Sequence, residues 1–237
     1  MIDLVLFFRL TRVAASCIHS YCTESDDIDD DSITCGSVVK VMHQDSEYLL
    51  HSEEKALKSG SGQQIVTFVH DPATHHSLWT IRPADHSEHG EYPLGKASCQ
   101  LAEPVKCGSY VRLTHLETQK NLHSHNVKSI LSSQQEVSAF GSGDGRGDGG
   151  DNWRVDCLES SGRPITSDGK RVLKRGLPFR LYHRDTGKYL GSSKNLEFNV
   201  NTCGRNCPIM DHLESFCRKG ADNFSVLKIS QGIHISK

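Results

Sequence analysis

An internal repeat of about 72 residues limits the folds open to this chain more than any other feature. Four short elements recur in one order, each 71 to 74 residues later: Cys-Gly-Ser at 35–37 and 107–109, Leu-His-Ser at 50–52 and 122–124, Gln-Gln at 63–64 and 134–135, and Trp79 and Trp153. Because order and offset are both kept, these matches identify two copies of one structural unit.

A third copy is weaker and lies further along the chain. Residues 111–115 align with 179–183, and residues 118–122 align with 186–190, both at a shift of 68. Phe224 is expected to replace the tryptophan of the first two copies. The third copy lacks the Gln-Gln and His-Ser elements.

Each copy predicts short strands, since apolar residues alternate or run together over about five positions before a turn. Three such units cannot each bury a face alone, and closing them around a pseudo-threefold axis removes open sheet edges. We therefore expect an all-β chain, a β-trefoil over 34–230 with repeats at about 34–96, 105–158 and 172–230. The inward-facing residues are expected to be Val39, Val41, Val111, Leu113, Phe179 and Leu181, with Trp79, Trp153 and Phe224 closing the last strand of each copy.

The first 33 residues differ in character from the rest. Residues 1–17 resemble a signal peptide, with an apolar start and a small-residue site at Val13-Ala14-Ala15, although Asp3, Arg9 and Arg12 interrupt the apolar run. Residues 18–33 form an acidic linker, expected to be a solvated, disordered segment.

Composition excludes several classes of partner. The net charge of −2 provides no basic field for nucleic acid or anionic lipid. No run of about 18 apolar residues exists, so no membrane span is expected. No nucleophile elbow, phosphate loop or His-Glu-x-x-His motif is present, and the chain is expected to be neither an enzyme nor a cofactor protein.

Nine cysteines indicate either an oxidising compartment or metal binding. Repeat symmetry predicts disulfides between Cys35 and Cys99 and between Cys107 and Cys157, against the competing pair Cys99–Cys107. The spacing of Cys203, Cys207, His212 and Cys217 leaves three alternatives, which are a disulfide that includes Cys203 and Cys207, a zinc site and unpaired thiols.

The sequence resembles the MIR domain, and most closely the small, three-repeat stromal cell-derived factor 2 family. The resemblance rests on Leu-His-Ser-His at 122–125, Gly-Ser-Gly-Gln-Gln at 60–64 and Arg-Leu-Thr-His at 112–115. It implies a lumenal protein of the endoplasmic reticulum that binds a J-domain co-chaperone, a heat-shock chaperone and unfolded clients in protein quality control. Residues 234–237 carry no Lys-Asp-Glu-Leu signal, which leaves secretion as an alternative location. A carbohydrate-binding trefoil that senses glycans or O-mannosylation is the alternative function.

The polar repeat elements are the candidate binding residues: His51, Ser52, Gln63, Gln64, His123, Ser124, His125, Gln134 and Gln135. They are expected either to satisfy turns of the fold or to line a shallow groove for peptide or sugar hydroxyls. Asn223 starts a glycosylation sequon. A second histidine cluster, at residues 70, 75, 76, 86 and 89, is expected to be a solvated loop, with metal capture as the alternative.

Overall fold

The computed structural model describes residues 31–56, 60–84, 98–165 and 170–233. The predicted leader at 1–17 and most of the acidic linker lie outside these residues. Asp31 pairs with Arg175 at 2.7 Å. Ile33 is fully buried and exchanges backbone hydrogen bonds with Leu173 and Val105. The folded part has therefore begun by residue 31, three residues before the predicted boundary.

The described residues form thirteen β-strands in one antiparallel sheet system, with one four-residue helix. The strands are β1 (Val38–His43), β2 (Leu49–Ala56), β3 (Gln64–Val69), β4 (Trp79–Pro83), β5 (Tyr110–His115), β6 (Asn121–Lys128), β7 (Gln135–Phe140), β8 (Trp153–Cys157), β9 (Pro178–His183), β10 (Lys188–Gly191), β11 (Leu213–Glu214), β12 (Phe216–Arg218) and β13 (Leu227–Ile233), and α1 is Val200–Cys203. The expected all-β class is confirmed. No helix in this part of the chain has the length and apolar character needed to cross a membrane.

Six strands close into a barrel. Strand β1 pairs with β4 and β13, β5 pairs with β4 and β8, and β9 pairs with β8 and β13. A closed ring leaves no barrel strand with an open edge. The barrel strands carry the predicted inward residues, and all of them are buried: Val39, Val41, Val111, Leu113, Phe179 and Leu181.

The remaining strands form three hairpins that pair in a second ring, which we call the hairpin ring. The hairpins are β2 with β3, β6 with β7, and β10 with the interrupted strand β11 and β12. Strand β3 pairs with β7 and β11, and β7 pairs with β12. Each copy thus supplies two strands to the barrel and one hairpin to the ring.

The third copy departs from the predicted alignment at its last strand. Trp79 and Trp153 are fully buried opposite the first strand of their copies, and each indole N–H donates to a backbone carbonyl. The residue at this position in the third copy is Leu227, which pairs with Phe179. The expectation that Phe224 replaces tryptophan is therefore wrong by three residues, because Phe224 lies in the short 3₁₀ turn that precedes the strand.

Disulfides join the two cysteine pairs that repeat symmetry predicts. Cys35 is bonded to Cys99, and Cys107 is bonded to Cys157. All four side chains lie in the main hydrophobic core. The first bond ties the start of its copy to the segment after β4, and the second ties the start of its copy to the end of β8.

Candidate functional site

Six of the nine predicted binding residues are buried, and two of these, Gln64 and Gln135, connect one copy to the next. Ser52 donates from its hydroxyl to the carbonyl of Ile65 at 2.8 Å. The Gln64 amide donates to the Ser52 hydroxyl at 2.8 Å and to the Thr118 hydroxyl of the second copy at 2.9 Å. Ser52 and Gln64 are 0% and 4% exposed, so neither is available to a ligand.

The second copy repeats this arrangement against the third. Ser124 donates to the carbonyl of Glu136 at 2.7 Å. The amide of Gln135 donates to Ser124 at 2.7 Å and to Thr186 of the third copy at 2.8 Å. The alternative in which Ser52, Gln64, Ser124 and Gln135 line a shallow groove is corrected, because all four side chains are buried and hydrogen-bonded within the fold.

The third copy keeps part of this element. Ser192 donates to the carbonyl of Glu214 at 2.9 Å, as the other two serines do with their partners. Buried Leu213 stands where the glutamine would be. Gly191 replaces the histidine, and a Cβ there would lie 2.1 Å from the carbonyl oxygen of Phe224. The third copy therefore lacks the histidine and the glutamine of these elements, and it retains the serine.

Three equivalent histidines complete the contacts between copies. His43, His115 and His183 are all 0% exposed. Nε2 of each donates to a carbonyl in the 3₁₀ turn of the preceding copy, at Phe224, His76 and Gly150, over 2.8 to 3.0 Å. Nδ1 of each contacts a hydroxyl three residues later, at Ser46, Thr118 and Thr186. The Thr118 hydroxyl that contacts His115 also accepts from Gln64, so hydrogen bonds link these three side chains in one continuous chain.

Burial sets the protonation of these rings. Desolvation lowers the pKa of His183 to about 4, although its bond to the carbonyl of Gly150 opposes the shift. Desolvation likewise lowers the pKa of His43 and of His115. The three rings are therefore neutral at pH 7, which leaves Nδ1 as an acceptor and Nε2–H as a donor.

His51 and His123 occupy equivalent positions with different neighbours. His123 Nδ1 lies 2.9 Å from the Asp151 carboxylate, which also accepts from Asn121. His51 Nδ1 contacts the Ser77 hydroxyl at the longer distance of 3.4 Å. Both rings are about 95% buried, so the two copies present different polar environments around one shared histidine position.

Part of the accessible set lies where the first and second copies meet. We call Gln63, His125 and Glu136 the polar junction. The side-chain oxygen of Gln63 accepts from the Ser138 hydroxyl of the second copy. His125 Nε2 lies 2.8 Å from the Glu136 carboxylate, which also accepts from the backbone N–H of Ser61 in the first copy. Gln134 is exposed and precedes the residue that pairs with the third copy.

An open groove of about 470 Å³ lies between the same two copies. Its lining is mostly charged and polar: Glu53, Glu54, Lys55, His76, Glu117, Thr118, Lys120 and residues 141–143. Charges of both signs line it, so it suits ligands rich in hydrogen-bonding groups more than apolar ones. None of its lining residues belongs to the predicted binding set, because no local sequence pattern brings the loop after β7 beside β2.

The cysteines of the third copy do not assemble a zinc site. Cys203 and Cys207 are joined by a disulfide, so their thiolates are not available as ligands. Cys217 has a buried, unpaired thiol, and desolvation raises its pKa to about 12. Of the three alternatives for this segment, the structure contains the disulfide.

The sequon at Asn223 lies at the molecular surface. Asn223 is exposed at the start of a 3₁₀ turn. The hydroxyl of Ser225 is buried, donates to the carbonyl of Asp222 and accepts from Arg180. Glycosylation of Asn223 remains a prediction.

The chain is similar in sequence and in structure to known proteins. The family model for the MIR domain matches residues 31–169. Stromal cell-derived factor 2 of Homo sapiens is 45% identical over 127 residues, which cover 53% of this chain and 54% of the human protein. The match therefore spans about half the length of that relative.

Two other relatives match over most of their length. The stromal cell-derived factor 2-like protein of Dictyostelium discoideum is 36% identical over 208 residues, which cover 86% of this chain and 85% of that protein. The crystal structure of the SDF2-like protein from Arabidopsis thaliana superposes with a TM-score of 0.69 at 29% identity, and the match covers 86% of this chain and 98% of the other.

Proposed function

Since the chain belongs to the stromal cell-derived factor 2 family of MIR-domain proteins, we propose that it is a non-catalytic binding module of protein quality control. The proposed compartment is the lumen of the endoplasmic reticulum. The proposed partners are a J-domain co-chaperone, the lumenal heat-shock chaperone and unfolded client chains, as the family resemblance implies. The buried disulfides support an oxidising compartment, because such bonds are rare where thiols are kept reduced.

The proposed fold is a β-trefoil. The support for it is the pair of closed strand rings and the three histidine contacts, each of which joins one copy to the next. A closed module of this kind has a rigid surface, and a rigid surface loses little conformational entropy when a partner binds.

The observation that carries the proposal is the position of the polar junction and the groove. Both lie between the first and second copies, where polar and charged groups remain accessible. An extended client chain presents backbone N–H and C=O groups along its length, and side chains such as Gln63 and His125 can donate to or accept from them. We propose that clients or the co-chaperone contact this region.

Glycan binding is the second candidate, because a polar groove of about 470 Å³ also suits sugar hydroxyls. Two measurements on the same immobilised full-length chain separate the candidates. One quantifies the J-domain co-chaperone and heat-shock chaperone captured from lumenal extract, and the other is a glycan array. Capture of both chaperones without sugar binding is the expected result, and saturable sugar binding without either chaperone would replace the proposal with a lectin function.

A further inference from the structure

Three side chains that could bind a metal converge beside the groove. His51 and Glu53 come from β2, and His212 comes from the segment between α1 and β11. One donor atom from each lies within 4.8 Å of the other two. Nε2 of His51 is 4.0 Å from the Glu53 carboxylate, and the two imidazole rings are 5.2 Å apart at 86°.

From this convergence we propose that His51, Glu53 and His212 form a binding site for a divalent transition metal, with Zn²⁺ as the expected ion. Two imidazoles and one carboxylate are a donor set that zinc accepts, and water would complete a tetrahedron. Zinc–ligand bonds of roughly 2.0 to 2.2 Å place neighbouring donors about 3.4 Å apart. Because the three donor atoms lie within 4.8 Å of one another, shifts of up to about 1.4 Å would bring them to this spacing.

The other nitrogen of each ring is already oriented by a hydroxyl. Nδ1 of His212 lies 2.9 Å from the Thr67 hydroxyl, and Nδ1 of His51 lies 3.4 Å from the Ser77 hydroxyl. Metal-ligating histidines commonly have such a partner on the second nitrogen, since it sets the ring orientation. Nε2 of each ring is then the nitrogen left for the metal.

Lys55 holds the third donor in position. Its ammonium lies 2.9 Å from one oxygen of Glu53 and donates to the carbonyl of Pro208 at 3.1 Å. The other oxygen of Glu53 is the one that faces His51. Lys55 thus joins the carboxylate to the inserted segment, which is the part of the third copy between β10 and β11 that also carries His212.

Two other groups of possible ligands in the described residues are less suited. In the group of His123, Asp148 and Asp151, the carboxylate of Asp151 already accepts from Asn121 and His123. The group of His75, His76 and Glu117 is more exposed, and Glu117 already contacts both histidines. Neither group brings two imidazoles with buried or half-buried rings to one carboxylate that is held by a neighbouring lysine.

Zinc competition tests the proposal on the full-length, metal-free chain. A chromophoric zinc chelator reports the affinity and stoichiometry of the wild type and of Glu53→Gln, His212→Ala and the control His75→Ala. We expect one zinc per chain, a loss of at least tenfold in affinity for the first two variants, and no change beyond twofold for His75→Ala. When Co²⁺ replaces zinc, we expect the visible absorption bands typical of four-coordinate Co²⁺ only in proteins that keep both Glu53 and His212.

Glu53→Gln keeps the shape of the side chain, so its result stands even if His212→Ala loosens the inserted segment. Far-UV circular dichroism of the metal-free variants verifies folding. Undiminished affinity in Glu53→Gln, a loss confined to His75→Ala, or no zinc retained by the wild type against the chelator would each overturn the proposal.

Discussion

Neighbouring glutamines in this chain differ in their burial and in their hydrogen bonds. Gln64 and Gln135 are buried, and each amide donates to two hydroxyls on different copies. Gln63 and Gln134 precede them by one residue and are accessible. Because successive side chains of a strand point to opposite faces, a Gln-Gln pair places one amide inside and one outside.

The buried glutamine should contribute to stability and the accessible one should not. Gln135→Ala removes the donor to Ser124 and Thr186 and leaves a cavity, so we expect the free energy of unfolding to fall by about 1 to 3 kcal/mol. Gln134→Ala is the matched control, with an expected change of less than about 0.5 kcal/mol. Urea unfolding measures both, and equal effects would show that Gln135 does not connect the copies.

At this scale the sequence did not predict which residues of the repeated His-Ser and Gln-Gln elements are accessible. The interpretation that these elements satisfy the fold holds for Ser52 and Gln64, which are buried and hydrogen-bonded within it. Repetition alone cannot separate the two roles, since a binding face and a contact between copies both recur once per copy. The hydroxyl partners lie 51 and 54 residues away from their glutamines, and no local sequence pattern shows that the two meet.

Each 3₁₀ turn is joined to the first strand of the next copy by a buried histidine. Among these histidines, His183 has a large pKa shift, since desolvation lowers its pKa to about 4 from an ordinary value of 6.5. The unfolded chain therefore binds a proton between pH 6.5 and 4 that the folded chain excludes. This contribution to stability is complete above pH 6.5 and is lost as the pH falls toward 4.

We expect the free energy of unfolding to decrease from pH 7 to pH 5, with His183 accounting for about 2 kcal/mol of the loss. In His183→Gln the side-chain amide can donate to the Gly150 carbonyl but cannot titrate, so the slope against pH should be smaller than in the wild type. Urea unfolding at both pH values measures the slopes. Identical slopes for the two proteins would refute a neutral, buried His183.

The strands of the first two copies match the repeat pattern predicted from the sequence more closely than the strands of the third copy do. In the third copy an inserted segment that contains α1 and the Cys203–Cys207 bond separates β10 from β11. Its third strand is divided at Ser215, and Leu227 takes the tryptophan position. The prediction aligned Phe224 with the tryptophans because all three residues are aromatic. Packing at this position needs only a large apolar side chain, and Leu227 supplies one.

The molecule as a whole has threefold strand pairing and unequal copies. The MIR family model matches residues 31–169, which contain the first two copies, while the third contributes barrel strands and the inserted segment. The order and offset of the repeats were enough to predict a closed all-β molecule, since that pairing satisfies every barrel edge. The groove was not predictable, because it forms only when the copies come together.

The central claim is that this family member binds its chaperone partners through the polar junction between the first two copies. Capture of the J-domain co-chaperone by the double variant Gln63→Ala with His125→Ala tests this claim. The control is His70→Ala with Gln100→Ala, which removes the same residue types from exposed positions outside the junction. Matched urea midpoints ensure that the comparison concerns folded protein.

The decisive measurement is the equilibrium affinity of each immobilised protein for the purified co-chaperone. Our account predicts that the junction variant binds at least tenfold more weakly than the wild type, a change of about 1.4 kcal/mol, while the control binds like the wild type. Equal affinity for all three proteins would contradict the claim that the polar junction is the binding surface.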